Sequence, residues 1–305
     1  MTDLIGAVEA GGTKFICAIG DTAAQILARE VFPTESPAQT LTHAFGFFKR
    51  HARRGNLVHI GIASFGPIDL DPRSPSFGRI TTTPKQLWRD FDILDAVARG
   101  TGVRGVSLDT DVNCAALAEW QWGAGRGCDP LLYVTLGTGI GAGVVINGSV
   151  LHGLVHPEIG HMRIPHDCAS DPFAGSCPSH RDCWEGLASG SAIAARRGVP
   201  AADLPPDDPV WPLVTTYTAD GFANLILAYS PRRIVVGGGL RRRVIGPDFL
   251  RRVHERLNGY LRAAELLDGI ASYIVPSELG DDAGVLGAMA LALRSLRVRQ
   301  DAAFD

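Results

Sequence analysis

The sequence predicts an α/β protein of two domains, and three observations carry that prediction. Buried-strand runs alternate with stretches of helical period; a strand, glycine turn, strand pattern occurs twice; and 305 residues exceed the roughly 100 to 200 residues that one domain commonly holds. The first occurrence is Leu4–Val8, the turn Gly11-Gly12-Thr13-Lys14, and Phe15–Ile19, which reads as a hairpin with a glycine tip. A helix follows with Leu41, Phe45, Phe48 and Ala52 on one face, then a strand over His59–Ala63. Residues 66–88 contain Pro67, Pro72, Pro75 and Pro84, too many for a regular element, and are expected to form a loop over a site. A strand over Val103–Leu108 ends at Asp109-Thr110-Asp111-Val112-Asn113, where a helical run through Ala115–Trp120 begins. The second occurrence is Leu131–Leu136, a glycine turn spanning Gly137 to Gly143, and Val144–Ile146, which suggests two similarly built halves. The proline-rich stretch 200–212 reads as a surface connection. Phe222, Leu225, Ile226 and Tyr229 then share a helix face, Arg233–Val236 form a strand running into Gly237-Gly238-Gly239, and Val285, Met289 and Leu293 stripe a last helix.

Composition narrows the function. Apolar residues make up 46% and charged residues 20%, ordinary globular usage, and the net charge of −3 provides no electrostatic footprint for nucleic acid or anionic membrane. A small-molecule partner is expected. No signal-peptide pattern opens the chain and no apolar stretch reaches the ~18 residues of a membrane span, so a cytoplasmic location is expected. Arginines 241–243, 251, 252 and 256 read as a solvated helix face. Six cysteines are too sparse for a disulfide scaffold, so clustered ones are read as metal or catalytic candidates.

Three constellations suit chemistry. Glycine turns at strand ends bring backbone N–H groups close to phosphate oxygens, and Gly11–Lys14, Gly137–Gly141 and Gly237–Gly239 are three of them. A dinucleotide fingerprint is disfavoured because a strand follows Gly141, and a Walker loop because the order is Gly12-Thr13-Lys14. Asp111 sits where a buried strand meets a helix; it either caps that helix or, beside phosphate turns, takes the proton of an alcohol in phosphoryl transfer. His156, Glu158, His161, His166, Cys168, Cys177, His180 and Cys183 fall within 28 residues. Cys177, His180 and Cys183 recur at intervals of three, which with an upstream His suits a closed, structural zinc site; scattered surface histidines with free thiols and a Cys177–Cys183 disulfide are the alternatives.

Taken together, Glu9-Ala10-Gly11-Gly12-Thr13-Lys14-Phe15, Phe65-Gly66-Pro67-Ile68-Asp69, Thr82-Thr83-Pro84-Lys85, Asp109–Asn113, Leu136–Gly139, Glu158-Ile159-Gly160-His161, and Cys177-Pro178 through Glu185–Gly190 resemble the ROK sugar kinases, most closely their bacterial fructokinase branch. The resemblance implies an actin-like ATPase (ribonuclease H-like) fold. Its small N-terminal domain would span 1–112, joined by a final helix at 281–296, with a larger domain at 113–280 and a deep cleft between them. It implies MgATP as phosphoryl donor, with Gly11, Gly12, Thr13, Lys14, Gly137, Thr138 and Gly139 around the phosphates and Gly237, Gly238 and Gly239 near the adenosine. By the same resemblance Asp111 is the general base, Asn113, Glu158, His161 and Glu185 contact or frame the sugar, zinc is held by His161, Cys177, His180 and Cys183, and the protein is a homodimer. If His161 ligates zinc, only its other ring nitrogen is left for sugar, which makes Glu158 the safer contact. The implied reaction moves the γ-phosphoryl group of ATP to the C6 hydroxyl of D-fructose. The alternatives are a hexokinase preferring mannose or glucose, and a sugar-sensing regulator, whose DNA-reading domain would need room ahead of Gly11. Ser179, Arg181, Trp184 and Gln86-Leu87 depart from the usual pattern and bear on sugar preference.

Overall fold

The opening apolar run becomes strand β1 (Asp3–Ala10), and Gly11–Thr13 return the chain as β2 (Lys14–Gly20), antiparallel to it in the computed structural model, which describes residues 2–301. Strand β3 (Ile26–Pro33) extends the antiparallel side, whereas β4 (Asn56–Ser64) and β5 (Val106–Thr110) add in parallel on the other, giving the order β3-β2-β1-β4-β5. The pleat of β1 sends Leu4, Val8 and Ala10 to one face. There they join Phe15, Phe47, Phe48, Ile93 and Val97, the last four from α1 (Pro37–His51) and α2 (Ile93–Thr101). Ile5 and Ala7 point to the other face, toward Val285, Met289 and Leu293 of the final helix, Ala283–Asp301. Each of these Leu, Ile, Val, Phe and Met side chains stabilises the fold by roughly 1.5–3 kcal/mol on burial. Asp92 caps α2 by accepting the Asp95 N–H at 2.9 Å, and Gly102, in the left-handed region, ends it. The side chain of Ala52, expected on the α1 stripe, lies outside the described residues.

Close backbone approach seats the final helix. A Cβ on Gly61 of β4 would lie 1.8 Å from the Ala288 carbonyl oxygen, and one on Gly287 would lie 2.0 Å from that of Cys114 in α3 (Asp111–Trp122). The compact unit built this way comprises the chain up to Trp122, Ser149–Pro157 and the stretch from Asp282. It therefore differs from the expected division after 112: α3 packs on the final helix and β4, so 113–122 belong with the first unit rather than the second.

The other unit, Gly123–Gly148 with Glu158–Asp281, repeats the plan. Its β6 (Leu131–Leu136) and β7 (Ile140–Ile146) are antiparallel across Gly137–Gly139, and β8 (Arg233–Gly237) and β9 (Ile274–Pro276) add in parallel, so β7-β6-β8-β9 matches β2-β1-β4-β5. The expected long glycine turn is shorter. Gly141 and Gly143 pair with Thr135 and Tyr133 as ladder residues, because the cross-strand hydrogen bonds outweigh the low strand preference of glycine. Helices α4 (Trp184–Ala188), α5 (Gly190–Arg197) and α6 (Val210–Tyr229) follow. The expected connection 200–212 thus ends inside a helix, since α6 starts at Val210. Fully buried Trp184 stands edge-on to Phe222 at 6.0 Å, and Gly221 makes room for its indole, where a Cβ would approach to 2.6 Å. Among the described residues, no helix is long and apolar enough to cross a membrane.

Candidate active site

In the first unit, the turn Gly11–Thr13 has its carbonyls tied off. Gly11 N–H donates to the Lys14 carbonyl at 3.0 Å, Thr34 Oγ1 donates to the Gly11 carbonyl at 2.7 Å, and Thr34 N–H donates to the Thr13 carbonyl at 3.0 Å. The N–H groups of Gly12 and Thr13 have no acceptor among the described residues, the arrangement of an anion-binding nest. Lys14 is exposed beside it. Lys85, which sequence reasoning did not place in the site, runs its Cε 3.4 Å from where a Cβ on Gly12 would sit.

Thr110, not Asp111, caps α3: its Oγ1 accepts the Asn113 N–H at 3.1 Å. Asp111 accepts the Val112 N–H at 2.9 Å, and burial pushes its carboxyl up to about 6 against the lowering effect of its backbone hydrogen bonds. Glu9 is pushed to about 7, first by burial and then by the Asp111 charge, with Lys14 and Arg29 pulling the other way. Its Oε2 is buried without a hydrogen-bond partner among the described residues, and Gly284 leaves the space it occupies, since a Cβ there would come within 2.5 Å of the Glu9 carboxyl carbon. Two carboxylates of raised pKa that repel each other form a poised acid–base locus. Asn113 is buried, with Nδ2 donating to Asp109 Oδ1 at 2.8 Å. Asp109 in turn meets His152 Nε2 at 2.9 Å; neither residue was among the sequence candidates. His156 Nε2 accepts the Ile68 N–H at 3.0 Å, tying the 66–88 loop to the segment that carries His152.

In the second unit the turn Gly137–Gly139 is built alike. Gly137 N–H donates to the Gly139 carbonyl at 2.9 Å, while the start of α5 occupies the turn carbonyls through Gly190 N–H at 2.8 Å and Ser191 N–H at 3.0 Å. The N–H groups of Thr138 and Gly139 have no acceptor among the described residues. Glu185 Oε2 accepts the Ile140 N–H at 2.9 Å and would meet a Cβ on Gly139 at 2.5 Å, so the turn and this expected sugar residue adjoin. Gly237–Gly239 follow β8; Gly238 has φ +82, and a Cβ there would strike the Leu136 carbonyl at 2.2 Å. Trp184 packs into the α6 core rather than lining a pocket, whereas Ser179 and Arg181 are exposed.

The four expected metal residues converge: one donor atom each from His161, Cys177, His180 and Cys183 lies within 4.8 Å of all the others. Cys177 Sγ is 3.6 Å from His161 Nδ1 and 3.7 Å from His180 Nδ1, and Cys183 Sγ is 3.5 Å from His161 Nδ1. Zinc bonds of about 2.3 Å to sulfur and 2.0–2.1 Å to nitrogen give tetrahedral S–N edges of about 3.6 Å, which the three Cys–His separations match, so the donor set suits the ion. The backbone N–H groups of His180 and Gly186 donate to Cys177 Sγ and Cys183 Sγ, each at 3.4 Å, which suits thiolates. His161 Nε2 stands 4.0 Å from Glu158 Oε2, so the ring faces the sulfurs with one nitrogen and Glu158 with the other. His166 and Cys168, also in the dense segment, are not part of this set; His166 lies against Asp171 and Asp182 instead.

The ROK family model matches residues 5–295. A fructokinase of Zymomonas mobilis is 42% identical over 95% of this chain and 96% of its own, and one of Pediococcus pentosaceus is 40% identical over 96% and 99%. Among solved structures, a ROK family glucokinase from Streptomyces griseus in complex with glucose and AMPPNP superposes with a TM-score of 0.72 at 25% identity, covering 95% of this chain and 99% of that one. The repeated sheet, its paired glycine turns and a match running nearly from end to end agree, and this chain belongs to the ROK family.

Proposed function

We propose that the protein is an ATP-dependent fructokinase that transfers the γ-phosphoryl group to the C6 hydroxyl of D-fructose, giving fructose 6-phosphate. The observation that carries this reading is full-length similarity to fructokinases, at 42% and 40% identity. Asp111 is the general base. Its carboxyl, raised to about 6, is ionised near neutral pH yet basic enough to accept the hydroxyl proton as the bond to phosphorus forms. The transition state is loose and its charge is spread over the phosphoryl oxygens, so positioning and electrostatics supply most of the rate. The N–H groups of Gly12, Thr13, Thr138 and Gly139 hold phosphate oxygens, Lys14 and Lys85 add positive charge, and Gly237–Gly239 border the adenosine. Asn113, Glu158, His161 and Glu185 hold sugar hydroxyls. Mg²⁺, when bound with ATP, neutralises phosphate charge, and the unpartnered Glu9 Oε2 is a fitting group to face it. Zinc at His161, Cys177, His180 and Cys183 is structural, because four protein donors leave no open position, and it fixes the loop bearing Glu158. We place the protein in the cytoplasm as a homodimer.

A coupled ADP-release assay over fructose, mannose and glucose tests the reading. Fructose is expected to have the highest kcat/KM, with 6-phosphate product by NMR. Absence of turnover with every hexose, or a higher kcat/KM for another sugar, overturns it.

A further inference from the structure

Asp109, the last but one residue of β5, is only 2% exposed, and both its oxygens are engaged. Oδ1 accepts from the Thr110 N–H and from Asn113 Nδ2, each at 2.8 Å, and Oδ2 lies 2.9 Å from His152 Nε2. This contact fixes the histidine, because a carboxylate oxygen requires the proton on Nε2. The opposite ring nitrogen, Nδ1, has no hydrogen-bond partner among the described residues, and the side chain is 40% exposed. The same carboxylate orients Asn113: with Nδ2 donated to Asp109, its Oδ1 is turned away and accepts nothing among the described residues. The 3.4 Å approach of Asn113 Nδ2 to His152 Nε2 is two donors converging on the two oxygens of one carboxylate, not a bond between them. One buried carboxylate thus leaves two polar atoms unengaged among the described residues, His152 Nδ1 and Asn113 Oδ1, and Asn113 shares the first turn of α3 with Asp111.

We infer that His152 is a sugar-contacting residue of this kinase, an inference that rests on the fructokinase reading: with Nε2–H held by Asp109, Nδ1 hydrogen-bonds a hexose hydroxyl beside the one taken by Asn113 Oδ1. A hydroxyl suits the place better than a phosphate does. Asp109 and Asp111 lie on the same strand end and helix start and would repel an anion, whereas a hydroxyl both donates to and accepts from an imidazole. The competing role is purely structural, with His152 tying the segment Ser149–Pro157 down on Asp109 ahead of Glu158.

Two variants separate the roles. In His152→Gln the amide reaches the Nε2 position and keeps the Asp109 bond, but no polar atom stands at Nδ1. In His152→Asn a polar atom stands near Nδ1 and the reach to Asp109 is lost. A sugar contact predicts that H152Q raises KM for fructose up to about tenfold, the upper range for one lost hydrogen bond, while H152N stays within about threefold and KM for ATP is unchanged in both. If H152Q keeps the wild-type KM for fructose, if H152N is the worse of the two, or if KM for ATP rises equally, the inference is overturned and the anchor role stands. If a variant is thermally weakened, calorimetric titration with fructose at low temperature gives the same ordering of affinities. Wild-type protein inactive on every hexose would sink the kinase reading itself, whereas active wild type with two silent variants sinks only the role of His152.

Discussion

The turns Gly11–Thr13 and Gly137–Gly139 use one backbone device in two electrostatic settings. In each, a neighbouring element occupies the turn carbonyls and two successive N–H groups have no acceptor among the described residues: Thr34 does this in the first unit, the start of α5 in the second. The side chains beside them differ. Lys14 and Lys85 flank the first turn, while the Glu185 carboxylate sits against the second, holding the Ile140 N–H. The strand ends differ too, since β5 carries Asp109 and leads into Asp111 whereas its counterpart β9 leads into Ser277. Repetition of a sheet therefore conserves the backbone site, and chemistry enters through what each copy sets beside it.

Four experiments would break or sharpen that contrast. The largest effect is expected from the carboxylate that only the first unit has at its strand end: Asp111→Asn should lower kcat by roughly 10² to 10⁴ with KM for ATP little changed, and near-normal turnover by steady-state kinetics would reject its role as base. Next, stripping metal should abolish fructose binding, because the loop with Glu158 is tied to the four-donor set, while nucleotide binding persists more strongly; calorimetric titration before and after a chelator checks this, and full fructose affinity in metal-free protein would refute it. Third, the turns should respond unequally to a methyl group. Gly139→Ala meets the Glu185 carboxylate oxygen at 2.5 Å and must displace it from the Ile140 N–H, whereas Gly12→Ala meets only the free-swinging Lys85 arm at 3.4 Å. KM for ATP should rise about tenfold or more in the first variant and stay within about threefold in the second, given the steep penalty for close contact.

The smallest effect concerns pH. Glu9 and Asp111 have folded pKa values of about 7 and about 6, above their ordinary values, so the folded chain binds more protons than the unfolded one between about pH 4 and 7. Their contribution to stability is full below that window and is lost as pH rises through it. Glu9→Gln and Asp111→Asn should accordingly raise Tm at pH 8 and leave it near wild type at pH 4; equal shifts at both pH values, measured by calorimetry, would contradict the assignment.

Much of this was legible in sequence because local physics decides it. The β1–β2 hairpin follows from an apolar run on either side of glycines, and convergence of Cys177, His180 and Cys183 follows from their three-residue spacing in one turn. Strand β7 was partly missed because Gly141 and Gly143 have little strand preference of their own and are fixed by pairing with β6. Sequence alone leaves Asp111 open as a helix cap, because the adjacent Thr110, which holds that position, is also a preferred capping residue. Nothing local announces that His152 meets Asp109 or that Lys85 lies over Gly12, because both contacts are made by segments returning from elsewhere in the chain. The unit boundary was hidden for the same reason: α3 is assigned by its long-range packing, not by its neighbours in sequence.

The seating of the final helix on Gly61 and Gly287 has a consequence for biosynthesis. Emerging vectorially from the ribosome, strands β1 to β5 are synthesised early, yet Ile5, Ala7 and Ala63 have only Cys114 of α3 against them until the cover from Val285, Met289 and Leu293 has been translated. The segment Glu158–Asp281 is made before that cover, so the unit that begins the polypeptide is the one that matures last.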